Sequence, residues 1–242
     1  MTGQKALIVG GTSGIGLALA GLLAQDGFHV ETVGLPALPT SASSGLPHGV
    51  RAVHHLDMTR QPEALTALDG IIRRMGGVDL FVISLGIMHF NEELDWEWER
   101  RTIEVNVAGF AAAANVGMRF FLERGRGHLV GISSIAALFG HRAAPAYSAS
   151  KAFITNYLAC LRQNAGYLGL PITVTEIRPG FVDTPLLPPG GWRPWVVPVD
   201  EAARQIRRAI RDKRERAYIT RRWRLGAWAV RLLPRFLLNR LR

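Results

Sequence analysis

The chain has 242 residues, 48% hydrophobic and 20% charged, with a formal charge of +10, and such a length suits one α/β domain with a sizeable core. The single cysteine, Cys160, excludes an intrachain disulfide and fits a reducing compartment. No uninterrupted apolar run reaches the ~18 residues of a membrane span, and the sequence opens directly onto its first strand, so neither a signal nor a transit peptide is expected; the expected location is cytoplasmic, either free or peripheral at a membrane.

Ala6-Leu7-Ile8-Val9 is an apolar, partly β-branched run of strand length. Gly10-Gly11-Thr12-Ser13-Gly14-Ile15-Gly16 follows, then Leu17, Leu19, Ala20, Leu22 and Leu23 at helical spacing. Strand, glycine-rich turn and helix together form a phosphate cradle: glycines permit the sharp turn and close approach, and the helix start offers unpaired N–H groups. An ordinary βα turn also favours glycine. His29 to Leu35 reads as the second strand, and the Pro-, Ser- and Gly-rich stretch from Leu35 to Gly49 as a loop.

A third strand is predicted near Arg51–Leu56, a helix from Pro62 to Met75, and a buried strand over Asp79–Ile83. A long helix is predicted from Trp96 to Glu123, in which Ala111–Ala114 would permit close helix approach, either within the chain or between subunits. His128–Ile132 is the strand that delivers Ser134, and a helix follows from Ala144 to Tyr167. Leu158, Ala159 and Leu161 around Cys160 suggest a buried thiol. Pro171–Ile177 is the next strand. Residues 185–198, with five Pro and two Trp, read as a mobile substrate lid without regular structure. Asp200 is the expected cap of a helix running to Arg214, and Ala217–Thr220 the final strand. Alternating strands and helices predict a Rossmann-type doubly wound parallel sheet over residues 1–220.

Tyr147 and Lys151 stand four apart, so on a helix they share a face. The chain holds 26 Arg but only three Lys (Lys5, Lys151, Lys213), so a Lys at 151 is a specific choice of a compact, rotatable ammonium. Bringing a phenol from about 10 to near neutrality takes about 4 kcal/mol of differential stabilisation, which a fixed cation could supply. An incidental pair on a solvated helix is the alternative.

Together these residues resemble the short-chain dehydrogenase/reductase family. The glycine turn is similar to the family's Thr-Gly-x-x-x-Gly-x-Gly, with Val9 in place of Thr. Asp57 in Leu56-Asp57-Met58-Thr59, Asn106 in Val105-Asn106-Val107, Ser133-Ser134, the Tyr147/Lys151 pair, and Arg178-Pro179-Gly180-Phe181-Val182-Asp183-Thr184 follow in family order, from residue 4 to about 220. The resemblance implies an NAD(P)-dependent oxidoreductase interconverting a carbonyl and an alcohol, without a metal, through Asn106, Ser134, Tyr147 and Lys151. It implies dinucleotide contacts at Gly10, Ser13, Gly14, Ile15, Gly16, Asp57, Met58, Gly86, Tyr147, Lys151, Pro179, Gly180, Val182 and Thr184. In that scheme Tyr147 donates the proton, Ser134 holds the carbonyl oxygen, Lys151 lowers the Tyr147 pKa, and Asn106 holds a relay water. A homodimer or homotetramer is also implied.

Two departures stand out. Where the family writes Asn-Asn-Ala-Gly, this chain writes Ile83-Ser84-Leu85-Gly86, so only Gly86 survives and the side-chain hydrogen bonds of those Asn are absent or rebuilt by Ser84. At the end of the second strand, Gly34 and Leu35 supply neither an acid for a ribose 2′-hydroxyl nor a base for a 2′-phosphate, and the missing repulsion leans toward NADP(H).

The expected pocket segments, Ile87-Met88-His89-Phe90 and Ile135–Phe139, are mainly apolar, as are Trp192 and Trp195, which suggests a hydrophobic, lipid-like ketone. Histidines 54, 55, 89, 128 and 141 show no ligand spacing and read as surface or supporting residues. Residues 204–242 carry 14 Arg or Lys against two acids, whereas the other 203 carry 15 basic and 17 acidic residues. Residues 221–242 therefore read as a basic amphipathic helix, suited to an anionic membrane surface or to a neighbouring subunit; nucleic acid is not expected, for no binding module accompanies the charge. A soluble reductase of small or carrier-bound carbonyls and a non-catalytic dinucleotide sensor remain the alternatives.

Overall fold

The computed structural model describes residues 3–35, 49–187 and 193–226. Its strands are β1 (Lys5–Val9), β2 (His29–Gly34), β3 (Val50–His55), β4 (Leu80–Ile83), β5 (Gly127–Ile132), β6 (Ile172–Pro179), β7 (Val182–Asp183), β8 (Val197–Pro198) and β9 (Arg216–Ile219). Its helices are α1 (Gly14–Gln25), α2 (Gln61–Arg74), α3 (Trp96–Ile103), α4 (Phe110–Arg124), α5 (Pro145–Tyr167) and α6 (Val199–Arg211). Seven parallel strands form one sheet in the order β3-β2-β1-β4-β5-β6-β9.

That order explains why the central strands read as unbroken apolar runs. Both faces of the sheet are covered, so a strand residue on either face is apolar or, where polar, must find a partner inside the protein. In β1, Leu7 and Val9 enter the core shared with α2, α4 and α5, while Ala6 and Ile8 enter the one beneath α1 and α6. The chain winds outward from β1 to β3, then returns to place β4 against the other side of β1. A crevice opens at the carboxyl ends of β1 and β4, where the winding reverses, and ligands of such sheets bind there.

The helical run Trp96–Arg124 passes through a π turn at Glu104–Gly109, which carries Asn106. It contains an 18-residue window of mean hydropathy 1.3, half of it buried. Ala112, Ala113 and Ala114 are spent inside the chain's own core.

Several sequence expectations are corrected. Pro198, not Asp200, holds the N-cap of α6; Asp200 and Glu201 sit in its first turn, where their charge meets the positive end of the helix dipole. The segment expected to lack regular structure contains β8, which pairs with β7 just beyond the end of β6. Cys160 is exposed: Ile154 and Leu158 turn inward on α5, and two residues further the helix has rotated to its other side. His128 is buried on β5 between β4 and β6, its Nε2 2.8 Å from the Thr175 hydroxyl. Most of the loop expected from Leu35 to Gly49, Trp192 of the lid, and the basic helix beyond residue 226 lie outside the described residues.

Candidate active site

The glycine turn closes over the end of β1. Gly10 has φ +84, and a Cβ there would lie 2.6 Å from the Ser84 carbonyl carbon, so both conformation and space demand glycine. Gly16 would collide with the Gly10 carbonyl in the same way. Ser13 is the N-cap of α1 but makes no capping bond with its side chain, which leaves first-turn N–H groups at Ile15 and Gly16 for an anion. Gly14 (φ +50) faces Thr184, whose Cγ2 would be 3.5 Å from an added Cβ. A pyrophosphate fits this cradle, with Thr184 across the gap; the Pro179-Gly180 turn leaves the end of β6 at the same carboxyl edge of the sheet.

Asp57 follows β3 and spends one carboxylate oxygen on Thr59, at 2.9 Å from its N–H and 2.8 Å from its hydroxyl. Met58 is buried, and its carbonyl would be 3.2 Å from a Cβ at Gly109 in the π turn, so its side chain packs while its backbone stays near the crevice. Gly86 lies against the Lys151 ammonium, which would be 3.2 Å from an added Cβ. Val182 is buried in β7.

The predicted tetrad converges at this edge. Ser134 caps a 3-10 turn over Ile135–Leu138, its Oγ accepting from the Ala136 N–H at 3.1 Å. Lys151 is 3% exposed, donates to the Ile132 carbonyl at 3.3 Å, and sits 5.6 Å from the centre of the Tyr147 ring. Burial lowers its pKa to about 8. Burial also pushes the Tyr147 phenol above its ordinary value, and the hydrogen-bonded Ser134 hydroxyl works the other way. The expected depression of this phenol by Lys151 is not found in the protein alone: burial dominates, and Ser134 is what opposes it. Asn106 is fully buried, and its amide is committed to protein: Nδ2 donates to the Ile87 carbonyl (2.9 Å) and the Ser150 hydroxyl (3.1 Å), and Oδ1 accepts from the Ile87 N–H (2.8 Å).

Comparison with known proteins adds a decisive match: the profile of the short chain dehydrogenases fits residues 4–190. The chain belongs to the short-chain dehydrogenase family. A relative described as an uncharacterized oxidoreductase from Myxococcus xanthus (strain DK1622) is 37% identical over 191 residues, 77% of this chain and 75% of that protein. A short-chain type dehydrogenase/reductase from Mycobacterium ulcerans has a similar structure, with TM-score 0.73 and 25% identity, covering 90% of this chain and 89% of that one. A variant actinorhodin polyketide ketoreductase solved with NADPH matches at TM-score 0.65 and 30% identity, covering 76% and 74% of the two chains. The protein is an NAD(P)-dependent oxidoreductase of this family, built on its Rossmann-like parallel sheet.

In this short-chain dehydrogenase the altered Ser84-Leu85-Gly86 segment holds its place through backbone: the Ser84 N–H donates to the Val9 carbonyl at 2.7 Å. Several supporting residues escaped the sequence reading. Glu99 on α3 accepts from the Ala146 N–H at 3.1 Å and so holds the first turn of the Tyr147 helix. Ser150 donates to the Tyr147 carbonyl at 2.7 Å while receiving the Asn106 amide. Trp223, from the helical segment that begins at Arg222 after β9, lies directly against Gly180, with Phe181 and Trp195 rings at 5.8 and 5.1 Å. Glu176 and Arg178 are each 1% exposed on β6. An acid and a base two apart in a strand share a face, and that pair, alternating with Ile177 in a β-branched strand, was the available signal.

Proposed function

We propose that this oxidoreductase reduces the carbonyl of a hydrophobic, lipid-like ketone with NADPH, Tyr147 donating the proton. The observation that carries the reading is the Tyr147 ring 5.6 Å from the buried Lys151 ammonium, with Ser134 near enough to act on the phenol. When bound, the dinucleotide supplies the hydride that the carbonyl carbon receives. Ser134 donates to the carbonyl oxygen as negative charge develops there, and Tyr147 passes it the phenolic proton, completing the alcohol. Lys151, with a pKa of about 8, is mostly charged at neutral pH; it stabilises the phenolate left behind and can return a proton to it. The Asn106 amide is committed to Ile87 and Ser150, so any part this residue takes in proton return runs through its main chain and not its side chain.

NADP(H) is favoured because the end of β2 offers no acid. A Cβ at Gly34 would lie 2.5 Å from the Thr12 hydroxyl, so an aspartate there would collide. The similarity to a ketoreductase solved with NADPH supports the same preference. Partly exposed apolar segments at Ile87–Phe90 and Ile135–Phe139 border the site and suit an alkyl chain. The test is oxidation of NADPH and of NADH against 2-alkanones of graded length. Turnover should rise with chain length and prefer NADPH; turnover confined to short polar ketones sinks the lipid-like substrate.

A second reading concerns the substrate's source. Trp195, Val196 and Leu225 are exposed at 44%, 41% and 70%, beside the exposed Arg221, Arg222 and Arg224. We propose that this apolar and cationic surface meets an anionic bilayer. Full-length protein should float with phosphatidylglycerol-containing vesicles and lose that binding on Arg221→Glu/Arg222→Glu/Arg224→Glu. Equal flotation of both proteins would refute it.

A further inference from the structure

A directional chain of hydrogen bonds leads away from the catalytic serine into the protein. The Ser134 N–H donates to the Ser133 hydroxyl at 2.6 Å. The Ser133 and Thr155 hydroxyls are 3.1 Å apart, and Thr155 donates to Glu176 Oε1 at 2.6 Å. Each hydroxyl has one proton and a carboxylate only accepts. With the Thr155 proton given to Glu176, the Ser133 proton must go to Thr155; its other acceptor, the Ser134 carbonyl, is longer at 3.4 Å. Every donor therefore points the same way, from Ser134 toward Glu176.

The far end is fixed. Arg178 Nε donates to Glu176 Oε1 at 2.6 Å and Arg216 Nε to Oε2 at 2.9 Å, while Arg178 also donates to the Tyr218 hydroxyl at 3.0 Å. Burial alone would raise the Glu176 pKa; the bonds from Arg178, Thr155 and Arg216 outweigh it and hold the carboxyl below its ordinary value, hence ionised. The members come from three pieces of the site. Ser133 and Ser134 directly follow β5; Thr155 lies one helical turn beyond Lys151 on α5; Arg178 immediately precedes the Pro179-Gly180 turn at the end of β6.

We propose that Thr155 and Glu176 are positioning residues for Ser134: through Ser133 they fix the extended backbone that aims the Ser134 hydroxyl at Tyr147 and at the carbonyl oxygen of the substrate. This rests on the role given to Ser134 in the proposed function. Ser134 sits at φ −168, ψ 162, extended backbone directly before a tight turn, and its N–H bond to Ser133 is the link that ties that backbone to the buried carboxylate. A serine displaced by a fraction of an ångström would still fold and still admit dinucleotide, yet would donate poorly to the developing charge.

The test uses full-length protein, NADPH and whichever 2-alkanone the wild type reduces fastest. Thr155→Val keeps the shape and breaks the chain; kcat should fall about tenfold or more, as misaligned catalytic groups do, with NADPH affinity (by quenching of tryptophan fluorescence) unchanged. Thr155→Ser should restore kcat to within about twofold, since it returns the hydroxyl. Ser133→Ala, which removes a different link, should reproduce the deficit and covers the case in which Thr155→Val folds poorly. In a Ser134→Ala background, Thr155→Val should add little, because residues acting through one group are non-additive. If Ser134→Ala is impaired but Thr155→Val and Ser133→Ala are not, or if Thr155→Val costs the same with and without Ser134, the positioning role is wrong while the reading of the site stands. If Ser134→Ala retains wild-type kcat, the reading of the site fails and the positioning role with it.

Discussion

Lys151 and Arg178 are both cations sealed inside the protein, 3% and 1% exposed, and they are held in opposite ways. Arg178 has a carboxylate at 2.6 Å and a phenolic oxygen at 3.0 Å. Lys151 has one carbonyl at 3.3 Å and, among the described residues, no carboxylate. The first charge is satisfied by a fixed partner; the second is left short of one in the crevice, where burial drags its pKa toward neutrality. A buried charge that is fully matched holds strands together, and one that is under-matched can exchange protons. Two residues of the same sign thus separate scaffold from chemistry within one sheet edge.

Substitutions should pull these two roles apart. Tyr147→Phe should lower kcat by at least about 10²-fold, the usual loss of a general acid, with an unchanged melting temperature; retained turnover would remove the chemical half of the contrast. Glu176→Ala leaves Arg178 buried without its partner and should destabilise the protein by about 3–5 kcal/mol, read by urea denaturation. A loss below about 1 kcal/mol, the scale of a surface pair, would mean the clamp holds little. Lys151→Met should abolish turnover yet stabilise the dinucleotide-free protein, by at most about 3 kcal/mol at pH 7. The lysine's folded pKa of about 8 lies below its ordinary 10.5. Its penalty is therefore full below pH 8 and fades as pH rises to 10.5, so the variant's advantage should close over that window.

His128 shows a third solution, giving up its charge. Burial holds its pKa at about 4 against an ordinary 6.5, with the Lys213 charge adding to the effect. The unfolded chain takes up a proton first as pH falls, so stability should drop between pH 6.5 and pH 4, by at most about 3 kcal/mol. His128→Gln should flatten that part of the urea-stability profile relative to wild type. The smallest effect belongs to a local feature: Asp95 caps α3 by accepting from the Glu97 N–H at 2.8 Å, and Asp95→Ala should cost about 1 kcal/mol.

What the sequence made legible was local or periodic. The glycine turn needs only seven consecutive residues, the Tyr147/Lys151 face only a helical repeat, and the buried strands only their unbroken apolar runs. The Glu176 clamp needed more: Thr155 and Glu176 meet only because α5 crosses the sheet, and Arg216 reaches the same carboxylate only through the pairing of β6 with β9. The burial of Cys160 was misjudged because its immediate neighbours are apolar while the helix turns its own position outward. Asp200 was misjudged because a capping residue is set by where the chain enters the helix, and the β7–β8 pairing moves that entry back to Pro198.

The seat of Trp223 against Gly180 carries a consequence for how this chain can be cut. The indole comes from beyond the last strand yet packs on the Pro179-Gly180 turn. A protein ended just after Ile219 would retain all seven strands of its main sheet and lose the indole packed on Gly180, so that trimming the far end of the polypeptide would reach the loop proposed to hold the nicotinamide.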